Sequence, residues 1–102
     1  MPAPSARITD SIITGHACTV QSTIISSLQA KVIVALQPAA VTGSPIAPHT
    51  ILSGSSCVPH AVTTLAGSPK VFFGGIPANR VGDGADLAGV IISGAPNVII
   101  GP

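Results

Sequence analysis

The chain has 102 residues, of which 46% are apolar, 7% are charged and only two, Phe72 and Phe73, are aromatic. A domain of this size has room for one modest core, and here that core must be filled by Val, Ile, Leu and Ala. The formal net charge of +1 gives neither a basic footprint for nucleic acid nor an acidic tail, and every apolar run is broken well before the about 18 residues of a helical membrane span.

Eleven Gly and ten Pro are spread along the chain and leave no window for a long helix. Between them lie short runs rich in β-branched residues, each of strand length: Thr23-Ile24-Ile25, Lys31-Val32-Ile33-Val34, Thr50-Ile51-Leu52, Ala61-Val62-Thr63-Thr64-Leu65, Lys70-Val71-Phe72-Phe73, Val90-Ile91-Ile92 and Asn97-Val98-Ile99-Ile100. They end in turn chemistry such as Ser53-Gly54, Gly67-Ser68-Pro69 and Ser93-Gly94-Ala95-Pro96. Parallel α/β architecture needs crossovers of a dozen or more residues, which this spacing does not provide. The expectation is a single all-β domain spanning residues 1–102, built of hairpins.

The runs repeat. A shift of 39 lays Lys31-Val32-Ile33-Val34 over Lys70-Val71-Phe72-Phe73 and Pro38-Ala39-Ala40 over Pro77-Ala78-Asn79, and a shift of 40 lays His49-Thr50-Ile51-Leu52-Ser53-Gly54 over Gly89-Val90-Ile91-Ile92-Ser93-Gly94. One seven-residue phrase occurs three times: PSARITD (Pro4 to Asp10), PAAVTGS (Pro38 to Ser44) and PANRVGD (Pro77 to Asp83). No unit is long enough to bury its own apolar face, so the units must pack on one another.

Three ordered copies of this phrase, with Gly-Ser-Pro turns between them, resemble the PAAR-repeat family over nearly the whole chain, from Pro4 to Gly101. The resemblance implies a small pointed β-cone with pseudo-threefold symmetry. Such a cone caps the trimeric β-helical spike of a contractile injection machine, as in type VI secretion systems and contractile phage tails. It also implies one structural Zn2+ near the tip, held by His and Cys side chains.

His16, Cys18, His49, Cys57 and His60 are the only imidazoles and thiols in the chain. His16 and His49 follow the closing residues of their phrases, Asp10 and Ser44, at similar distances, and Cys57-Val58-Pro59-His60 reads as a Pro-fixed turn carrying two ligands. The third unit continues Gly84-Ala85-Asp86-Leu87-Ala88-Gly89, with neither His nor Cys, so its missing ligand is expected from the Cys57–His60 turn. The expected zinc ligands are therefore His16, His49, Cys57 and His60, with Cys18 as the reserve thiolate because it falls over Cys57 under the shift of 39. The N-terminus lacks the features of a secretory signal, which weighs against a Cys18–Cys57 disulfide.

Catalysis is not expected. The three acids, Asp10, Asp83 and Asp86, are assigned to turns, Glu is absent, and no nucleophile or metalloprotease motif is present. The expected role is mechanical: a zinc-stabilised tip, without a fused toxin, that docks on a trimeric spike and crosses the target envelope transiently. Cargo effectors would form a second class of partner. Assembly is expected in the bacterial cytoplasm, with delivery outside the cell or within a virion. The runner-up is a stand-alone zinc-binding β-domain with a regulatory or enzymatic role.

Overall fold

The computed structural model describes residues 3–29, 31–86 and 88–101. Among these there is no helix, and the Gly/Pro spacing accounts for that. The strands are β1 (Ala3–Ser5), β2 (Ser11–Ile13), β3 (Gln21–Thr23), β4 (Ile33–Val34), β5 (Gln37–Pro38), β6 (His49–Ser53), β7 (Ser56–His60), β8 (Phe72–Phe73), β9 (Ile76–Pro77), β10 (Gly84–Ala85), β11 (Gly89–Ile91) and β12 (Ala95–Ile100). They form one four-stranded sheet, β10-β11-β2-β3, and four two-stranded ribbons, with every pairing antiparallel. The principal extents are 41 × 25 × 21 Å.

The repeated phrase is the hub. The third residues of its three copies, Ala6, Ala40 and Asn79, are fully buried and close a ring of backbone hydrogen bonds. Ala40 N–H donates to Ala6 O (2.9 Å), Asn79 N–H to Ala40 O (3.0 Å) and Ala6 N–H to Asn79 O (3.0 Å). Around this ring the second residue of each copy pairs with the fourth residue of another: Ser5 with Arg80, Ala39 with Arg7, and Ala78 with Val41. Each copy therefore supplies hydrogen-bonding groups that its two neighbours need, and the arrangement is quasi-threefold. Backbone groups buried on such an axis must find partners, and here only the other copies supply them.

The end of each phrase is a tight turn. The N–H of the seventh residue donates to the carbonyl of the fourth in all three copies, and the sixth residue has positive φ: Thr9 (78°), Gly43 (89°) and Gly82 (95°). This is the geometry of a type II turn. The closing side chain caps it by accepting from the backbone N–H of the fourth residue. Asp10 caps Arg7 (2.8 Å), Ser44 caps Val41 (3.0 Å) and Asp83 caps Arg80 (2.7 Å). In the first and third copies the arginine side chain also returns to its aspartate. Four of the seven charged side chains in the chain are thus spent inside turns.

The core repeats in threes as well. Ile12, Ile46 and Ala85 each lie two residues beyond a closing residue, and all are buried. Ile24, Thr64 and Ile91 each pinch a turn, exchanging backbone bonds with the sixth and seventh residues of a phrase. Where the third phrase has Asn79 in place of alanine, the core has Thr64 in place of isoleucine. The Thr64 hydroxyl donates to Asn79 Oδ1 (2.7 Å), and Asn79 Nδ2 donates to Leu65 O (3.1 Å). Two buried polar residues are tolerated because they satisfy each other.

Each phrase is preceded by a hairpin arm and followed by a loop. The arms β4-β5 and β8-β9 are equivalent under the shift of 39, with Ile33 opposite Pro38 and Phe72 opposite Pro77. The third arm is made by the two ends of the chain, with Ile99 of β12 opposite Pro4 of β1. Two expectations need correction. Residues 61–65 form no named strand and contribute only the single pairings of Thr63 with Pro45 and Thr64 with Ala85. The Cys57–His60 segment is not a turn but part of β7, paired along its length with β6.

Candidate metal centre

The loops after the three phrases converge. The first, between Asp10 and the pinch at Ile24, carries His16. The second, between Ser44 and Thr64, contains the β6-β7 hairpin with His49 and His60 directly opposite each other. The third, between Asp83 and Ile91, carries Asp86 and includes Leu87, which lies outside the described residues. Two close backbone approaches dock the first loop on the third. A side chain on Gly89 would overlap the carbonyl oxygen of Ile13, and one on Gly15 (φ 78°) would sit 2.5 Å from the carbonyl of Ala88.

Asp86 is the centre of the cluster. Its side chain is 0% exposed, and its two oxygens meet three imidazoles: Oδ2 lies 2.9 Å from His16 Nε2 and 2.6 Å from His49 Nε2, and Oδ1 lies 2.8 Å from His60 Nε2. The ring centroids stand 5.1 to 5.2 Å apart. One ligand atom from each of the four residues lies within 4.8 Å of every other. Asp86 itself has φ 62°, a left-handed conformation that aspartate tolerates better than most residues.

The hydrogen-bond pattern tests whether this group fits a cation. His16 Nδ1 lies 3.0 Å from Ala17 O, and His49 Nδ1 lies 2.7 Å from Ala47 O. A carbonyl oxygen only accepts, so Nδ1 carries the proton in both rings. In the neutral ring Nε2 is then a lone pair, and both lone pairs face the Asp86 carboxylate. That contact is repulsive unless a proton sits on each Nε2 or a metal cation replaces the protons. Two imidazoliums beside a single carboxylate leave buried positive charge, which is costly. A divalent ion meets three imidazole lone pairs and one carboxylate with every donor satisfied. Backbone carbonyls orienting the far ring nitrogens are the usual support for ligating histidines. These four residues could hold a metal ion.

Of the expected ligands, His16, His49 and His60 come together and Cys57 does not. Cys57 and Cys18 form a disulfide, so neither the assigned thiolate nor its reserve is in the cluster, and the expectation against a disulfide is corrected with it. The reason lies in β7. Successive side chains of a strand alternate faces, so residues three apart, such as Cys57 and His60, point to opposite sides and cannot grip one ion. The disulfide bridges a sequence separation of 39, worth about 4 kcal/mol on the chain-entropy account. It is joined by Cys18 pairing with Ile51 and by the Thr19 and Thr50 hydroxyls, 3.0 Å apart.

Asp86 is not among the expected ligands because its carboxylate is neither an imidazole nor a soft donor. The available signal was positional, since Asp86 lies in the loop after the third phrase as His16 and His49 lie in the loops after the first two, although it stands closer to its closing residue. With it each loop contributes at least one ligand.

The cluster predicts opposite pH responses for its two states. Burial pulls the His16 imidazole down, but its bonds to Ala17 O and Asp86, with the Asp86 charge, outweigh this and hold its pKa above the ordinary histidine value. A raised native pKa stabilises below the unfolded value, and that stability is lost as pH rises through the native value. Chelator-treated protein should therefore lose this contribution on alkalinisation through the histidine range. Metal-loaded protein should lose stability on acidification, because its ligands must be deprotonated. Melting temperatures across pH 5 to 8, with and without chelator, check the crossing; parallel curves would refute it.

No protein-family model matches the chain, and no curated protein matches it either.

Proposed function

We propose that the protein is a metal-stabilised tip for a threefold-symmetric partner, of the kind that caps the trimeric β-helical spike of a contractile injection machine. The observation that carries this reading is the closed hydrogen-bonded ring of Ala6, Ala40 and Asn79. It gives a single chain a quasi-threefold frame, with an arm before each phrase and a ligand-bearing loop after it. A trimer is the natural complement of such a frame, since one pseudo-symmetric chain can match three identical subunits at once.

The arms supply the docking chemistry. Ile33, Phe72 and Ile99 occupy equivalent arm positions and are 57%, 53% and 56% exposed. Leu36 at the tip of the first arm is 92% exposed, and both Ala35 and Leu36 have left-handed φ, 47° and 74°. An apolar residue held outward in an unfavourable backbone conformation suits a surface that is covered in use.

On this reading the ion is structural Zn2+. Beyond Ile12, Ile46 and Ala85 the described residues of the three loops bury no apolar side chain, and a structural zinc site can contribute about 10–16 kcal/mol of apparent folding free energy. Four protein ligands leave no open position, which suits a staple more than a hydrolytic centre. The role is mechanical, with no catalytic step.

Docking is tested by mass measurement on the chain mixed with a trimeric β-helical spike. One chain per trimer is expected. Ile33→Asp with Phe72→Asp should abolish the complex, because two apolar contacts would become buried charges, and should leave metal content unchanged. Three chains per trimer, or docking indifferent to both substitutions, would overturn the reading.

A further inference from the structure

The disulfide and the histidine cluster join the same two loops. Cys18 lies two residues after His16, and Cys57 lies three before His60, so the first and second loops are tied once through sulfur and once through the cluster. Both cysteines are exposed, whereas the Asp86 side chain is sealed from solvent. No sulfur belongs to the cluster, so thiol oxidation leaves the three nitrogens and the carboxylate intact. A thiolate site would be destroyed by the same oxidation.

We propose that the Cys18–Cys57 disulfide is a redox-controlled latch on the metal centre, an inference that rests on the cluster holding a metal. Once the sulfur link holds His16 near His49 and His60, closing the same loops through an ion costs less chain entropy. The oxidised protein therefore binds its ion more tightly and releases it more slowly. Linkage makes the effect reciprocal: bound metal makes the disulfide harder to reduce.

The step is thiol–disulfide exchange with an external small-molecule disulfide. One cysteine thiolate attacks it to give a mixed disulfide and release one thiol. The second cysteine then displaces the other half. The protein is oxidised by two electrons, and the external disulfide leaves as two thiols that carry the two protons of Cys18 and Cys57. Exposure of both cysteines makes the exchange accessible from solvent. In a reducing compartment the loops load and exchange metal freely, and in an oxidising one the ion is locked in.

The test uses the full chain loaded with zinc, in reduced and in glutathione-oxidised form, with release followed by an excess of a chromogenic chelator. Release should be slower by about tenfold or more in the oxidised protein. Cys18→Ser/Cys57→Ser should release at the reduced rate in either redox buffer. The second measurement needs no variant: the disulfide of the unaltered protein, titrated in glutathione buffers, should become harder to reduce when zinc is present. Equal release rates for the two redox forms would overturn the latch alone. So would reduced protein holding zinc longer than the double variant, which would mean that thiols enter the metal shell. Failure of zinc to bind in either form would overturn the metal reading and the latch together.

Discussion

Asp86→Ala should abolish metal binding at the histidine cluster and melt the loops that carry it. Among the described residues Asp86 is the only group that touches all three imidazoles, at 2.9, 2.6 and 2.8 Å, and its side chain has no contact with solvent. Its removal leaves three Nε2 atoms facing one another with no anion between them. Losing a residue that merely supports a ligand costs about 10- to 100-fold in metal affinity, and loss of this carboxylate should cost more. Asp86→Asn keeps the shape but offers a neutral oxygen, so it should bind weakly. Cys57→Ser should still take up metal, because the thiol is not among the ligands. Elemental analysis of each variant, with melting curves before and after chelation, separates these outcomes. Stoichiometric metal in Asp86→Ala, or its loss in Cys57→Ser under reducing conditions, would show that the cluster has been read wrongly.

The contrast between Asp86 and Cys57 marks where the sequence is informative. The hairpin arms were legible because Ile33-Val34 and Phe72-Phe73 precede turns and recur at one spacing, and the structure pairs them identically. The all-β class followed from the same Gly/Pro punctuation. The three histidines were legible as a set because they are the only imidazoles in the chain, and His16 and His49 follow their phrases at similar distances. The fourth member of the cluster was not, for two physical reasons. Ligand type was inferred from softness, whereas a buried carboxylate serves equally well among imidazoles. The Cys57–His60 segment was assigned to a turn on account of Pro59, whereas Pro is tolerated in a two-stranded ribbon such as β6-β7, where one edge is free. Once that segment is a strand, alternation alone separates Cys57 from His60.

The phrase itself contains no catalytic group, and its repetition has a mechanical explanation. Pro4, Pro38 and Pro77 each accept from the fifth residue of another copy: Val81, Ile8 and Thr42 respectively, at 2.9 Å. With the ring of Ala6, Ala40 and Asn79, this makes the three copies interdependent, so no unit is satisfied alone. The cost of the arrangement falls on the outer parts of the loops, beyond Ile12, Ile46 and Ala85, which are held by the disulfide, the histidine–aspartate cluster, and the approach of Gly15 and Gly89.

That approach sets the second large effect, expected for Gly89→Ala. A methyl group there would overlap the Ile13 carbonyl oxygen and crowd the Thr14 carbonyl carbon at 2.8 Å. Both obstacles are backbone, so no rotamer change can relieve them. The chain must instead break the pairing of β11 with β2, where Val90 opposes Ile13. The expected loss is about 3 kcal/mol or more, or a fall of about 12 °C or more in melting temperature for a chain of this size. Because Gly89 anchors the loop that presents Asp86, and Ile13 leads through Gly15 to His16, the substitution should also lower metal content. Gly15→Ala should act in the same direction, since it adds a clash with the Ala88 carbonyl to a strained left-handed backbone. Gly101→Ala is the control, because a side chain there meets nothing within 4 Å. Calorimetry on the three variants, with metal analysis of each, decides the matter. If Gly89→Ala melts with the control and keeps its metal, the first and third loops are not docked backbone to backbone, and the route by which His16 reaches Asp86 must be different.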